Sequence, residues 1–136
     1  MVTAFSTEWA EAWGAALNAS AAYREAAATW EGSVAVVASV AGERLAAVFL
    51  DVWHGGCRAA RAAVEADLAD AAYILEADPA AWKAVLSGGL SPMMALLSGR
   101  VKLARGELVR LLPYATAAKE LVTLAGTVPT EFPADW

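Results

Sequence analysis

One stretch, DPAAWKAVLSGGLSPMMALLSGRVKLARG from Asp78 to Gly106, limits the possible folds more than any other. Asp78 is a helix N-cap, and Pro79 suits the first turn, where the backbone N–H has no helical partner anyway. Trp82, Val85 and Leu86 then fall on one face. Gly88 and Gly89 supply a left-handed stop. Ser91-Pro92 repeats the start signal, Met93, Met94, Leu96 and Leu97 follow, and Gly99 ends the second helix. Arg100 to Ala104 alternates charged and apolar residues, as a half-buried strand does. Two helices carrying tryptophan, methionine and leucine with almost no polar groups suit a lid over an apolar space better than a catalytic centre.

The rest of the chain supplies what such a lid would cover. Ser6 to about Thr29 reads as one long helix, with Trp9, Trp13 and Leu17 recurring every four residues. This stripe is expected to pack on the core; a dimer face or ligand wall is the alternative use of clustered tryptophans. Val34–Val40 is a strand by its β-branched content. Arg44–Trp53 is a second strand, apolar on both faces and hence placed centrally. His54-Gly55-Gly56 is a hairpin turn, and Cys57–Val64 is a weaker third strand. Glu65, Asp67 and Asp70 read as a solvated acidic connector, and Ala71–Glu76 as a fourth strand. After the fifth strand, Leu108, Leu111 and Leu112 form an apolar patch and Pro113 kinks the chain. Tyr114, Ala118 and Leu121 share one face of a last helix, and residues 127–136 are extended.

Four clustered strands, two short helices, a strand and a helix argue for an α+β fold. The expected architecture is a five-stranded, largely antiparallel sheet covered on one side by helices enclosing an apolar cavity. We expect one domain over residues 1–136: an N-terminal helix over about 6–30, a sheet-helix core over about 33–126, and the tail.

Several function classes lose support at this point. A net charge of −5 argues against nucleic acid as a partner. No apolar run reaches the ~20 residues of a membrane span. The start lacks a signal-peptide pattern, and one cysteine builds no disulfide framework, so a cytoplasmic location is expected. His54 and Cys57 lie three residues apart, but nothing orients the histidine for nucleophilic catalysis. One histidine and one cysteine fall short of a zinc site, and Glu65, Asp67 and Asp70 lack calcium-loop spacing. No catalytic residue, metal or cofactor is expected. Arg100, Lys102, Arg105 and Arg110 form a basic patch offset only by Glu107. It reads as a solvated strand edge or as an attraction for an acidic head group.

The segment resembles the sterol carrier protein type 2 family. The residues that carry the likeness are Asp78-Pro79, Trp82 with Leu86, Gly89, Ser91-Pro92 and Ala95-Leu96-Leu97. They continue into Ser98-Gly99-Arg100-Val101-Lys102-Leu103 and Gly106. The likeness covers about residues 30–112, with an N-terminal helix like that of bacterial stand-alone members. It implies helices over a five-stranded sheet, an apolar tunnel between them, and binding of sterols, fatty acids or fatty acyl-CoAs without catalysis. Related domains also occur fused to enzymes.

The expected function is therefore non-enzymatic binding or transfer of a lipid-like ligand. Trp53, Trp82, Met93, Met94, Leu97 and Leu108 are the expected cavity wall, with Arg100 or Lys102 meeting an acidic head group. Transient contact with a membrane surface and homodimer formation are further expectations. The competing reading is a protein-interaction or dimerisation module with a filled core, accessory to a partner enzyme.

Overall fold

A computed structural model describes all 136 residues. The chain runs β1 (Val2–Thr3), α1 (Thr7–Ala19), α2 (Ala21–Ala26), β2 (Val34–Val40), β3 (Glu43–Trp53) and β4 (Gly56–Ala62). It continues through α3 (Glu65–Asp70), β5 (Tyr73–Ala77), α4 (Pro79–Leu86), α5 (Pro92–Leu97) and β6 (Lys102–Arg105). The last elements are α6 (Leu108–Leu111), a 3-10 turn (Leu112–Tyr114), α7 (Ala115–Gly126) and β7 (Thr130–Glu131).

The main sheet has five strands in the order β4-β3-β2-β5-β6. Every pairing is antiparallel except β2 with β5, which run parallel. The middle strand is thus β2, with β3 interior beside it; the expectation that β3 is the centre is corrected to this extent. Two tight hairpins set the β2–β3–β4 meander. Ala41-Gly42 and His54-Gly55 have positive φ at both turn positions (52° and 83°; 47° and 83°), the geometry whose twist matches the flanking strands. His54 itself takes the left-handed conformation, and Gly56 already belongs to β4.

Residue parity sorts the sheet into two faces. Val34, Val36, Ala38, Val48, Leu50 and Val52 join the larger core under the helices. Ala35, Val37, Ala47 and Phe49 face the other way and pack against Leu68 and Ala71. The longer helices lie on the first face. Only α3 covers the second, a refinement of the one-sided cover expected from sequence.

The N-terminal helix does not run unbroken to Thr29. Ser20 ends α1 in an extended conformation and its hydroxyl accepts from the Tyr23 N–H at 3.1 Å, so it caps a new helix instead. Trp9, Trp13 and Leu17 are fully buried, which removes the tryptophan stripe from consideration as a dimer face. Alanine makes this seat possible. A side chain at Gly14 would stand 3.0 Å from Ala60 Cβ and 3.3 Å from Cys57 Sγ, so α1 lies close on the small residues of β4. The tail folds back, with β7 pairing in parallel with β1.

The acidic connector is not solvated throughout. Its middle residue, Asp67, is 6% exposed. Its carboxylate accepts two hydrogen bonds from the Arg61 guanidinium, at 2.6 and 3.0 Å, and one from the Val64 N–H at 3.1 Å. Arg105, though exposed, also donates to the carbonyls of Leu68, Ala69 and Ala71 at the end of α3. A buried carboxylate needs such partners, and here it uses them to start a helix.

Asp67→Asn tests this account. Arg61 holds the Asp67 carboxyl below the usual carboxylate range. The pair therefore stabilises the fold above about pH 4, the unfolded value, and the contribution fades as pH falls through the depressed folded value. Urea unfolding at neutral pH should show a loss of about 1–3 kcal/mol in the variant. The gap should close under strong acid; a gap independent of pH would contradict the assignment.

Candidate functional site

Between the helix layer and the sheet lies a partly open apolar pocket with about 70 Å³ of free space. Its floor is Val34 of β2, Val52 of β3, Tyr73 and Leu75 of β5, and Val101 ahead of β6. Tyr23 and Trp30 close one end. The roof comes from Trp82 and Val85 of α4, Pro92, Met93 and Leu96 of α5, Leu111 and Tyr114, and Ala117, Ala118, Leu121 and Val122 of α7.

The aromatic walls are held from outside the space. Trp82 Nε1 donates to the Val37 carbonyl at 2.8 Å, fastening α4 over β2. Trp13 Nε1 donates to the Leu121 carbonyl at 2.9 Å, tying α7 to α1. Trp30 Nε1 reaches the Gly32 carbonyl at 2.8 Å. The Trp30 ring packs on those of Tyr73 and Tyr114, each with centroids at 4.9 Å. The Tyr114 hydroxyl is within 2.8 Å of Thr29 Oγ1. Each of these polar tips finds its partner in the surrounding framework, so the walls present carbon to the interior.

No charged residue lines the space. Burial, with the nearby Cys57 thiol adding to it, pushes the Tyr23 hydroxyl up to about 12, so it stays neutral. An ionised head group placed here would lose its hydration without a counter-charge. The volume is about half of the ~150 Å³ that admits a benzene molecule in an engineered cavity. The lipid-sized cavity expected from sequence is thus closed down in this structure by the roof side chains.

The model of the SCP-2 sterol transfer family matches residues 13–106. The chain belongs to that family. Among solved structures, a crystal structure of sterol carrier protein 2 is 42% identical, with a TM-score of 0.82 over 91% of this chain and 98% of that one. The solution structure of a conserved hypothetical protein from Thermus thermophilus is also 42% identical, with a TM-score of 0.82 over 93% and 90%. Sterol carrier protein 2 from Yarrowia lipolytica in its apo form is 15% identical, with a TM-score of 0.58 over 86% and 88%, and shows the fold alone. No curated protein matches.

In this family member, Trp82 and Met93 line the apolar pocket, while the other six residues singled out from sequence lie elsewhere. On the six-residue helix α5, Met93 and Leu96 turn inward, and Met94 and Leu97 turn out, 57% and 62% exposed. A helix that short cannot bury all four. Trp53 has the parity of Phe49 and Asp51 and lies on the outer face, stacked on the His54 ring with the Arg58 guanidinium 4.7 Å above it. Leu108 is 37% exposed at the start of α6 and does not line the pocket, whereas Leu111, one turn on, is buried and does. Arg100 is exposed in the turn before β6, and Lys102 is exposed on the edge strand opposite Glu76.

The sequence reading missed Tyr23, Trp30, Tyr73, Leu75 and Leu96 as wall residues. For the first two, the overlooked signal was Ser20 followed by Tyr23, a cap that breaks the helix and swings both aromatics under α7. For Leu75, the signal was strand parity.

The His54–Cys57 pair has no catalytic geometry. His54 Nε2 pairs with Glu31 at 2.6 Å, and the Cys57 thiol donates to the Ala59 carbonyl at 3.3 Å. Burial, opposed in part by the Ala59 backbone and reinforced by Asp51, pushes the thiol up to about 11. At pH 8 its thiolate fraction is then roughly a hundredfold or more below that of a free cysteine. Alkylation of the native protein by iodoacetamide should be slower by about that factor and should recover on unfolding. A native rate near that of free cysteine would contradict the buried, protonated thiol.

Proposed function

We propose that this chain binds a lipid-like molecule between the sheet and the helices and hands it on without chemistry. The observation that carries this reading is the uncharged apolar pocket whose floor is a hydrogen-bonded sheet and whose roof is a set of short helices. Membership of a sterol transfer family supports it, as do two relatives of known structure at 42% identity, one of them a sterol carrier protein 2. The binding unit spans residues 1–136, since α1 and the 127–136 tail supply the packing on which α4 and α7 rest.

Binding follows from burial. Each methylene taken from water is worth roughly 0.8 kcal/mol, so about ten of them outweigh a large part of the cost of association. The roof must rise to admit them, and α5 is a lightly buried part of it. It lies between Gly88 and Gly99, at φ +86° and +78°, and fully buries only Ala95. The exposed Met94 and Leu97 on its outer side, with Val109 and Leu112 farther along the chain, suit brief contact with a lipid surface during loading. The half-buried, protonated Cys57 fits a reducing, cytoplasmic setting.

A fluorescent fatty acid and a fluorescent sterol, titrated separately, test the reading. At least one should saturate near one molecule per chain and alter tryptophan emission. Ala118→Phe, which fills the space from α7, should weaken that binding about tenfold or more with the unfolding temperature little changed. Unchanged affinity in a folded variant, or no saturable binding of either probe, would sink the proposal.

A further inference from the structure

Beside the apolar pocket lies a second, open groove of about 360 Å³, bounded by the α4–α5 turn and the outer side of α7. Its lining is different in kind. Ser87, Ser91, Thr123 and Thr127 contribute hydroxyls, Lys119 contributes a cation, and no carboxylate lines it. Val85, Pro92 and Val122 line both the groove and the apolar pocket. Those three side chains, one each from α4, α5 and α7, are a partition with hydrocarbon on one side and hydroxyls and an ammonium on the other.

We propose that this groove is the head-group end of the ligand site, and that it seats an anionic head, carboxylate or phosphate, on Lys119 while the attached chain passes the Val85–Pro92–Val122 partition. The proposal rests on the lipid-binding reading above and assigns its polar end. An uncharged interior cannot take an ionised head, so the head must stop at the partition. Lys119 is the cation at that stop and makes no ion pair, since all four salt bridges of the chain lie elsewhere. Arg100 and Lys102 do not line the groove. Ser91 adds a donor. Its oxygen already accepts from the Met94 N–H at 3.2 Å as the cap of α5, which leaves its own O–H to give.

The partition is also placed to open. Pro92 starts α5, and at both Gly88 and Gly99 the site of an added Cβ has no atom within 4 Å. Joining the groove to the interior would require α5 to carry Pro92 away from Val85 and Val122. The exposed groove tolerates a hydrated head, and its single cation, Lys119, selects the charge sign.

Three probes with the same eighteen-carbon chain separate the outcomes: oleate, oleyl alcohol and oleoyl lysophosphatidate. They are titrated into the full chain, its Lys119→Glu variant and its Lys119→Arg variant at low salt. Charge reversal removes an exposed attraction and adds a repulsion, which should weaken oleate or the phosphate about tenfold. It should change oleyl alcohol less than about twofold, and added salt should shrink the difference. Lys119→Arg should restore binding, and the more Lys119-dependent of the two anions names the head group. Equal weakening of alcohol and anions by Lys119→Glu, or no weakening of either anion, would overturn the groove assignment while leaving lipid binding intact. Failure of the unmodified chain to bind any of the three would overturn both readings.

Discussion

The hydrogen bond from the Trp82 indole to the Val37 carbonyl is the contact on which the helix layer depends. Both groups are buried, and a buried polar group left without a partner costs about 1–3 kcal/mol. The bond therefore fixes how far α4 stands above the middle strand and which side of Trp82 faces the interior. Trp13 does the same for α7 through the Leu121 carbonyl. Between these two fixed points lies α5, which no indole anchors and which buries one alanine fully. The roof is thus anchored by indole hydrogen bonds at α4 and α7 and not at α5, and the opening that the proposed function requires would begin there.

Alanine shapes the interior as much as tryptophan does. Where Ala60 faces Gly14, the small residues bring α1 onto the sheet. Where Ala117 and Ala118 face the sheet from α7, the same residue type leaves room, because the aromatic neighbours hold the backbones apart. The apolar pocket is thus a consequence of spacing by large, hydrogen-bonded side chains next to small ones. Its closure to about 70 Å³ fits a ligand-sized space that forms only as the roof moves.

Much of this was legible in the sequence, for identifiable reasons. The strands announced themselves through β-branched runs and through glycines at the two hairpins. The helices α4 and α5 were marked by Asp78-Pro79 and Ser91-Pro92, and both caps form as read. The parallel pairing of β2 with β5 was not legible, because it joins segments separated by β3, β4 and α3 with no turn to set the register. Asp67 was misread for a related reason: three nearby carboxylates look solvated, and only the fold brings Arg61 over the middle one. At the site, Trp82 and Met93 followed from spacing, while Trp30 depended on an unrecognised helix break at Ser20. Trp53 was assigned to the wall against the strand parity that places it on the outer face.

The central claim is that a lipid chain enters the space under the roof and does not merely coat the apolar outer surface of α5 and α6. Intermolecular NOEs from a fatty-acyl chain to methyl-labelled protein test this directly. The account predicts contacts to the inward methyls of Met93, Leu96, Leu121 and Val122. Contacts confined to Met94, Leu97, Leu108 and Val109, with the inward methyls undisturbed, would contradict it.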